Sequence, residues 1–186
     1  MPLADSYAFE YLKDVNEETD SIIISKLSLI SDGETPILEF EIPEESAKAD
    51  IPFYMGKDLY RISEIRVSRD TYLYEVSNDE GENIQEYGDE LFITIEPVEI
   101  ETGTMLYGAQ VTLGERYKNS TLDGDVNFQY ITDNMFDVYF LNENLEPAES
   151  VICLGVRDLG ELPEKLLLRI DHLYKFWEQE YCIELK

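Results

Sequence analysis

The sequence predicts an α+β fold that is mainly β: antiparallel sheet with one long C-terminal helix packed on a sheet face. Three observations carry this. Apolar and polar residues alternate through most of the chain, turn-forming residues punctuate the alternating runs, and from Pro163 onward the apolar spacing changes to three and four. A length of 186 residues, with no linker, low-complexity tract or fixed-period repeat, predicts a single β-rich domain over 1–186.

Tyr7–Lys13 and Ser21–Ile30 are the first, weaker strand candidates. In Leu38–Ile42 the apolar side chains fall on one face and Glu39 and Glu41 on the other, as in a half-buried strand. The stretch Pro43–Asp58 lacks periodicity and reads as a loop, with a helical turn around Glu44–Ala49. Leu59–Val67 is again a weaker candidate, whereas Tyr72, Tyr74 and Val76 alternate cleanly with Leu73, Glu75 and Ser77. Leu91–Glu96 alternates as well, and Thr104–Leu113 follows as a weaker run. Val126–Tyr130 and Phe136–Phe140, joined through Thr132-Asp133-Asn134, read as a hairpin over 126–141. Ser150–Val156 is the last strand candidate.

Residues tolerant of positive φ mark the turns at Ser31-Asp32-Gly33, Asn78–Gly81 and Asp123-Gly124-Asp125. Pro43, Pro52, Pro97 and Pro147 are expected at strand ends or in loops. The helix is expected over about 163–181, because Leu166, Ile170, Leu173, Trp177 and Tyr181 line one stripe and should be buried. Pro163 suits the first helical position, and Glu161–Lys165 and Asp171–Lys175 have the spacing of helical ion pairs.

Composition narrows the function. There are 41 acidic and 14 basic residues, a net charge of −27, yet 44% of the chain is hydrophobic. That is too apolar for a disordered acidic tail and too acidic to hold a phosphate backbone or an anionic lipid surface. Direct nucleic-acid binding and membrane attachment are therefore not expected. No basic leader precedes an apolar segment, and no apolar run approaches the roughly 20 residues of a membrane span, so a cytoplasmic protein is expected. Cys153 and Cys182 read as reduced thiols, and the sequon Asn119-Ser120-Thr121 as coincidental.

Catalytic signatures are missing. His172 is the single histidine, and no nucleophile elbow, dinucleotide fingerprint or phosphate loop occurs. Cys153, Cys182 and His172 are too scattered for a zinc site. The turns at 78–83 and 123–125 hold several oxygens without the calcium-loop pattern. With this many acids, carboxylate pairs carry no information about glycoside hydrolysis. The protein is expected to be no enzyme, with no catalytic residue, metal or cofactor.

Charge is unevenly placed. Residues 70–115 hold twelve acids and no base, and residues 119–156 seven acids and no base. A folded chain of 21.6 kDa exposes roughly 9,200 Å². Its net charge then averages one per about 340 Å², against one per about 100 Å² on duplex DNA. Imitating DNA would require these acids gathered on one face.

The expected function is that of an acidic, non-enzymatic inhibitor that occupies the basic site of a nuclease or other nucleic-acid-acting protein. Immunity, anti-restriction and anti-CRISPR proteins, some of them DNA mimics from phage, are classes of that description. The expected contact residues are the turn-borne Asp79, Glu80, Glu82, Glu86, Asp89 and Glu90, followed by Asp123, Asp125 and Asp133. The alternatives are a structural or accessory assembly protein, such as a phage tail or capsid component, and an acidic domain of halophile type.

Overall fold

A computed structural model describes residues 21–24, 27–31, 35–77, 83–116, 128–131, 136–140, 149–177 and 181–184. In chain order the strands are β1 (Ser21–Ile24), β2 (Leu27–Ser31), β3 (Ile37–Glu41), β4 (Ser46–Met55), β5 (Asp58–Ser77) and β6 (Asn83–Glu99). They continue as β7 (Thr104–Arg116), β8 (Phe128–Tyr130), β9 (Phe136–Tyr139), β10 (Val151–Val156), β11 (Lys165–Trp177) and β12 (Tyr181–Glu184). One 3-10 turn, Leu159–Glu161, is the only helical element among the described residues.

All pairings are antiparallel. One sheet has the order β10-β6-β5-β4. A second centres on β11, with β2 and β3 along one side and β7 on the other, and β7 carries β8 and β9 on its far edge. β1 and β12 form a separate two-stranded ribbon. Ile62, Ile65, Leu91, Ile93, Ile152 and Leu154 from the first sheet join Val111, Leu113, Leu166, Leu168, Ile170 and Leu173 from the second in one apolar core. The two sheets thus face each other as a β-sandwich.

The expected C-terminal helix is absent: β11 occupies its place. Up to Ile170 its even-numbered residues Leu166, Leu168 and Ile170 are buried; beyond it the odd-numbered Leu173 and Lys175 are. The switch occurs at a bulge, where Ile170 pairs with Val111 but His172 pairs with Gln110, leaving Asp171 extra. A period of two interrupted by one inserted residue produces a spacing of three, so 166, 170, 173 and 177 imitate a helical stripe. The expected i,i+4 pairs are also replaced. Asp171 Oδ1 accepts from Arg169 Nε at 2.8 Å, and Lys175 Nζ reaches Asp58 Oδ2 at 2.6 Å. Of the residues expected to be buried, Leu166, Ile170 and Leu173 are; Trp177 is half-buried, and the side chain of Tyr181 lies outside the described residues.

A second difference lies at 43–58. No helical turn forms around Glu44–Ala49; β4 runs there as an edge strand against β5, with a bulge between Lys48 and Ile51 that breaks its alternation. Pro52 lies within this edge strand, and Pro97 lies in β6 beyond the last residue that β10 covers. Each can lack an N–H there without breaking a ladder.

The two sheets are tied at one polar point inside the apolar core. Asp58, buried at the β4–β5 turn, accepts from Lys175 Nζ of β11, from Glu101 N–H at 2.9 Å and from Tyr60 OH at 3.3 Å. Burial first, and the Asp58 charge second, push the Tyr60 hydroxyl far above its ordinary range, so it stays a donor.

Candidate partner-binding arm

β5 and β6 outrun their sheet. β4 pairs with β5 only as far as Arg66, and β10 pairs with β6 only as far as Asp89. Beyond these points the two strands continue as a ribbon, from Tyr72 opposite Gly88 to Ser77 opposite Asn83, a length of about 17 Å. Pairing places Tyr72, Tyr74, Val76, Ile84 and Glu86 on one face, continuing the outer side of the sheet. Leu73, Glu75, Gln85 and Tyr87 lie on the other, which continues the core side past the end of the core. Tyr72 is 40% exposed, Leu73 46%, Ile84 40% and Tyr87 64%. A ribbon of two strands with apolar groups open on both faces is marginal on its own. It must lean on its base.

The base is built around Asp89. Between Ser68↔Glu90 and Tyr72↔Gly88, the three residues Arg69, Asp70 and Thr71 stand against Asp89 alone, and Asp70 takes φ 55°. This left-handed conformation is uncommon for a residue with a side chain, though Asp is among those that tolerate it. Asp89 holds it: Oδ1 accepts from Asp70 N–H at 3.1 Å, while Oδ2 accepts from Arg69 Nη1 at 2.6 Å and Leu159 N–H at 3.0 Å. Burial alone would raise the Asp89 carboxyl. The Leu159 N–H, Arg69 and the Asp70 N–H together outweigh it and hold the group below its ordinary range.

Two close approaches complete the base. A Cβ on Gly155 would lie 2.5 Å from Tyr72 Cζ, and one on Gly88 would lie 2.6 Å from the Val156 carbonyl oxygen. The Tyr72 ring therefore rests on β10 where there is no side chain. Arg157, just past β10, donates to Tyr74 OH at 3.2 Å and lies 3.4 Å from Glu86 Oε2.

These positions sort the expected contact residues. Glu86, Asp89 and Glu90 belong to β6 and not to a loop. Glu86 is half-buried on the arm, accepting from Tyr74 OH at 3.0 Å. Glu90 is half-buried on the sheet and lies 3.5 Å from Cys153 Sγ. Asp89 is buried with its oxygens engaged at the base, so it holds the arm in place and is not open to a partner. Asp79, Glu80 and Glu82 follow β5 in sequence and, like Asp123, Asp125 and Asp133, lie outside the described residues. Tyr72, Leu73, Ile84 and Tyr87 were not singled out as contacts; the available signal was apolar residues at both parities of one short alternating run.

Other chemistry is sparse. The Cys153 thiol is raised to about 11, by burial first and by Glu90 second, which keeps it protonated at neutral pH. Among the described residues no group of three His, Cys, Asp or Glu could hold a metal ion. The oxygen-rich turn residues 78–82 and 123–125 lie outside the described set. No described helix is long and apolar enough to cross a membrane.

A second aromatic group lies on the outer side of the other sheet. Tyr107 stacks on Phe176 with ring centres 3.9 Å apart, and Tyr139 and Tyr174 stand 5.9 Å apart over Gly108. The Tyr174 hydroxyl donates to Asp137 at 2.8 Å. Tyr107, Tyr174 and Phe176 are half-buried in this group, while Tyr139 is 60% exposed. No protein-family model matches the chain, and neither the curated proteins nor the solved structures searched contain a match.

Proposed function

We propose that the protein is a non-catalytic binding module that occupies the basic site of a partner protein, in its specific form a nuclease or other nucleic-acid-acting enzyme. The observation that carries this reading is the β5–β6 arm. It presents Tyr72, Leu73, Ile84 and Tyr87 to solvent inside a base-free stretch of sequence, on a chain of net charge −27. Exposed aromatic and aliphatic side chains supply contact area, and the surrounding negative field steers and selects a positive partner. A cytoplasmic location belongs to the same reading.

The test is capture on the immobilised full chain from a host lysate, followed by two challenges. Duplex DNA should displace the captured protein, and rising salt should release it because exposed charges are screened within about 8 Å at physiological ionic strength. The purified partner should lose its activity on nucleic acid when the chain is added. A partner whose activity is untouched, or whose binding ignores both salt and DNA, would refute the reading.

A further inference from the structure

We propose that the open edge of β5 in the arm, Thr71–Ser77, receives an extended basic segment of the partner as an added strand. This rests on the reading of the arm as the partner-binding element and states how the partner is held. β4 stops pairing at Arg66, and the last described backbone contact on that side is Val67 N–H to Glu45 O at 2.7 Å. From Thr71 to Ser77 the described sheet partner of β5 is β6 alone. Alternate residues of such a strand aim both N–H and C=O away from the neighbour they have, forming a template for another chain.

Protection of this edge is confined to the bulge of Arg69–Thr71 at its start and the charge of Glu75 within it. Lys, Arg and Pro are absent from Thr71–Ser77, which consists of Thr, Tyr, Leu, Tyr, Glu, Val and Ser. Thr71, Tyr72, Leu73 and Glu75 are all exposed. Arg157, just past β10, lies over the outer face of the ribbon, 5.8 Å from the centre of the Tyr74 ring and 3.4 Å from Glu86 Oε2. Among the described residues no strand pairs with β5 along Thr71–Ser77 on the side away from β6.

Charge decides the occupant. Asp70 precedes this edge and Glu75 lies within it, and a second copy of the chain would bring its own acids and its own net charge of −27 against them. Like charges directly opposite destabilise a strand pair, whereas Lys or Arg opposite Glu75 stabilises it. On the face of Tyr72, Tyr74 and Val76 the incoming strand meets apolar neighbours. The matching segment is therefore extended and alternating: apolar residues on that face, a basic residue on the other. Backbone pairing gives affinity and the alternate side chains give selectivity.

A synthetic peptide alternating valine and lysine is the probe, with a scrambled peptide of the same composition and an N-methylated alternating peptide as controls. The full chain should bind the alternating peptide at least about tenfold more tightly than either control. Alternate amides of Thr71–Ser77 should become protected from hydrogen exchange on binding. Glu75→Lys should weaken the alternating peptide without changing the fold. Equal binding of the scrambled peptide on the arm would overturn strand addition and leave the acidic-module reading standing. Protection elsewhere, or arm-mediated self-association of the chain detected by sedimentation without peptide, would overturn it as well. Loss of all binding to basic peptides and to the captured partner would remove both.

Discussion

β5 passes through two environments without changing its own character. Over Asp58–Arg66 it has β4 on one side, β6 on the other and the second sheet over one face, so Tyr60, Ile62 and Ile65 are buried, and Val67 at the end of that stretch is buried too. Over Tyr72–Ser77 its partner among the described residues is β6 alone, and Tyr72 and Leu73 lie open although the residue types barely differ. An alternating run thus announces a strand but says nothing of whether another layer will cover it. Burial is settled by where neighbouring strands end. The first half of β5 belongs to the stability of the sandwich, and the second is available for something outside it.

The sharpest way to break this comparison is to attack the body at its polar tie. Lys175→Met removes the cation from a buried pair and leaves Asp58 with the Glu101 N–H and the Tyr60 hydroxyl as donors. Removing one partner of such a pair costs about 3–5 kcal/mol, and the two remaining donors place this case near the lower figure. Chemical denaturation should register it as a lower midpoint. The double variant with Asp58→Asn should recover part of the loss.

Next comes a pair of truncations on one strand. Ile62→Ala empties a fully buried site and should cost about 2–5 kcal/mol. Leu73→Ala, eleven positions along, should stay within about 0.5 kcal/mol because its side chain is already half in water. Equal losses at the two sites would show that the arm is packed as the body is.

The β architecture was legible because alternation is a local property: Leu38–Ile42, Leu91–Glu96 and Ser150–Val156 appear as β3, part of β6 and β10. The hairpin expected over 126–141 is not found among the described residues, since β8 and β9 each pair with β7; two other errors arose where a bulge disturbs the period. Asp171 inserted in β11 turned steps of two into a step of three and imitated a helix, and the bulge in β4 erased a period altogether. Helix propensity was no safeguard, since two flanking strands override it. The arm was legible as an alternating run and as a reservoir of acids, but not as an arm. Its exposure depends on β4 and β10 stopping short, which is a fact about pairing far along the chain. For the same reason Asp89 resembled its acidic neighbours, though it alone of Glu86, Asp89 and Glu90 points inward to three donors.

Gly88→Ala should sharpen the boundary between body and arm. Its new methyl would meet the Val156 and Arg157 carbonyl oxygens at 2.6 and 3.0 Å, and backbone cannot swing aside as a side-chain end can. Overpacking of this sort costs about 1–3 kcal/mol. Here it should act locally, speeding amide exchange in 72–77 and 83–87 while the amides of 60–67 keep their protection. Uniform acceleration of both sets would mean that arm and body open as one unit.

The smallest effect is expected from pH, and it concerns the hinge between the two regions. The Asp89 carboxyl is held below its ordinary value of 3.8 by the Leu159 N–H, Arg69 and the Asp70 N–H, which outweigh the opposing effect of burial. A group with a depressed folded pKa contributes stability that is complete above its unfolded value and disappears as pH falls through the folded one. The arm should therefore keep its base at neutral pH and lose it only in acid, below about 4. Asp89→Asn should remove that dependence, because the side chain no longer titrates, and should weaken the hold on Arg69 at every pH. Exchange at the Asp70 and Leu159 amides reads this directly, since both donate to the carboxylate. An unchanged acid limb of those two amides in Asp89→Asn would assign the dependence to another group and free the arm from its supposed hinge.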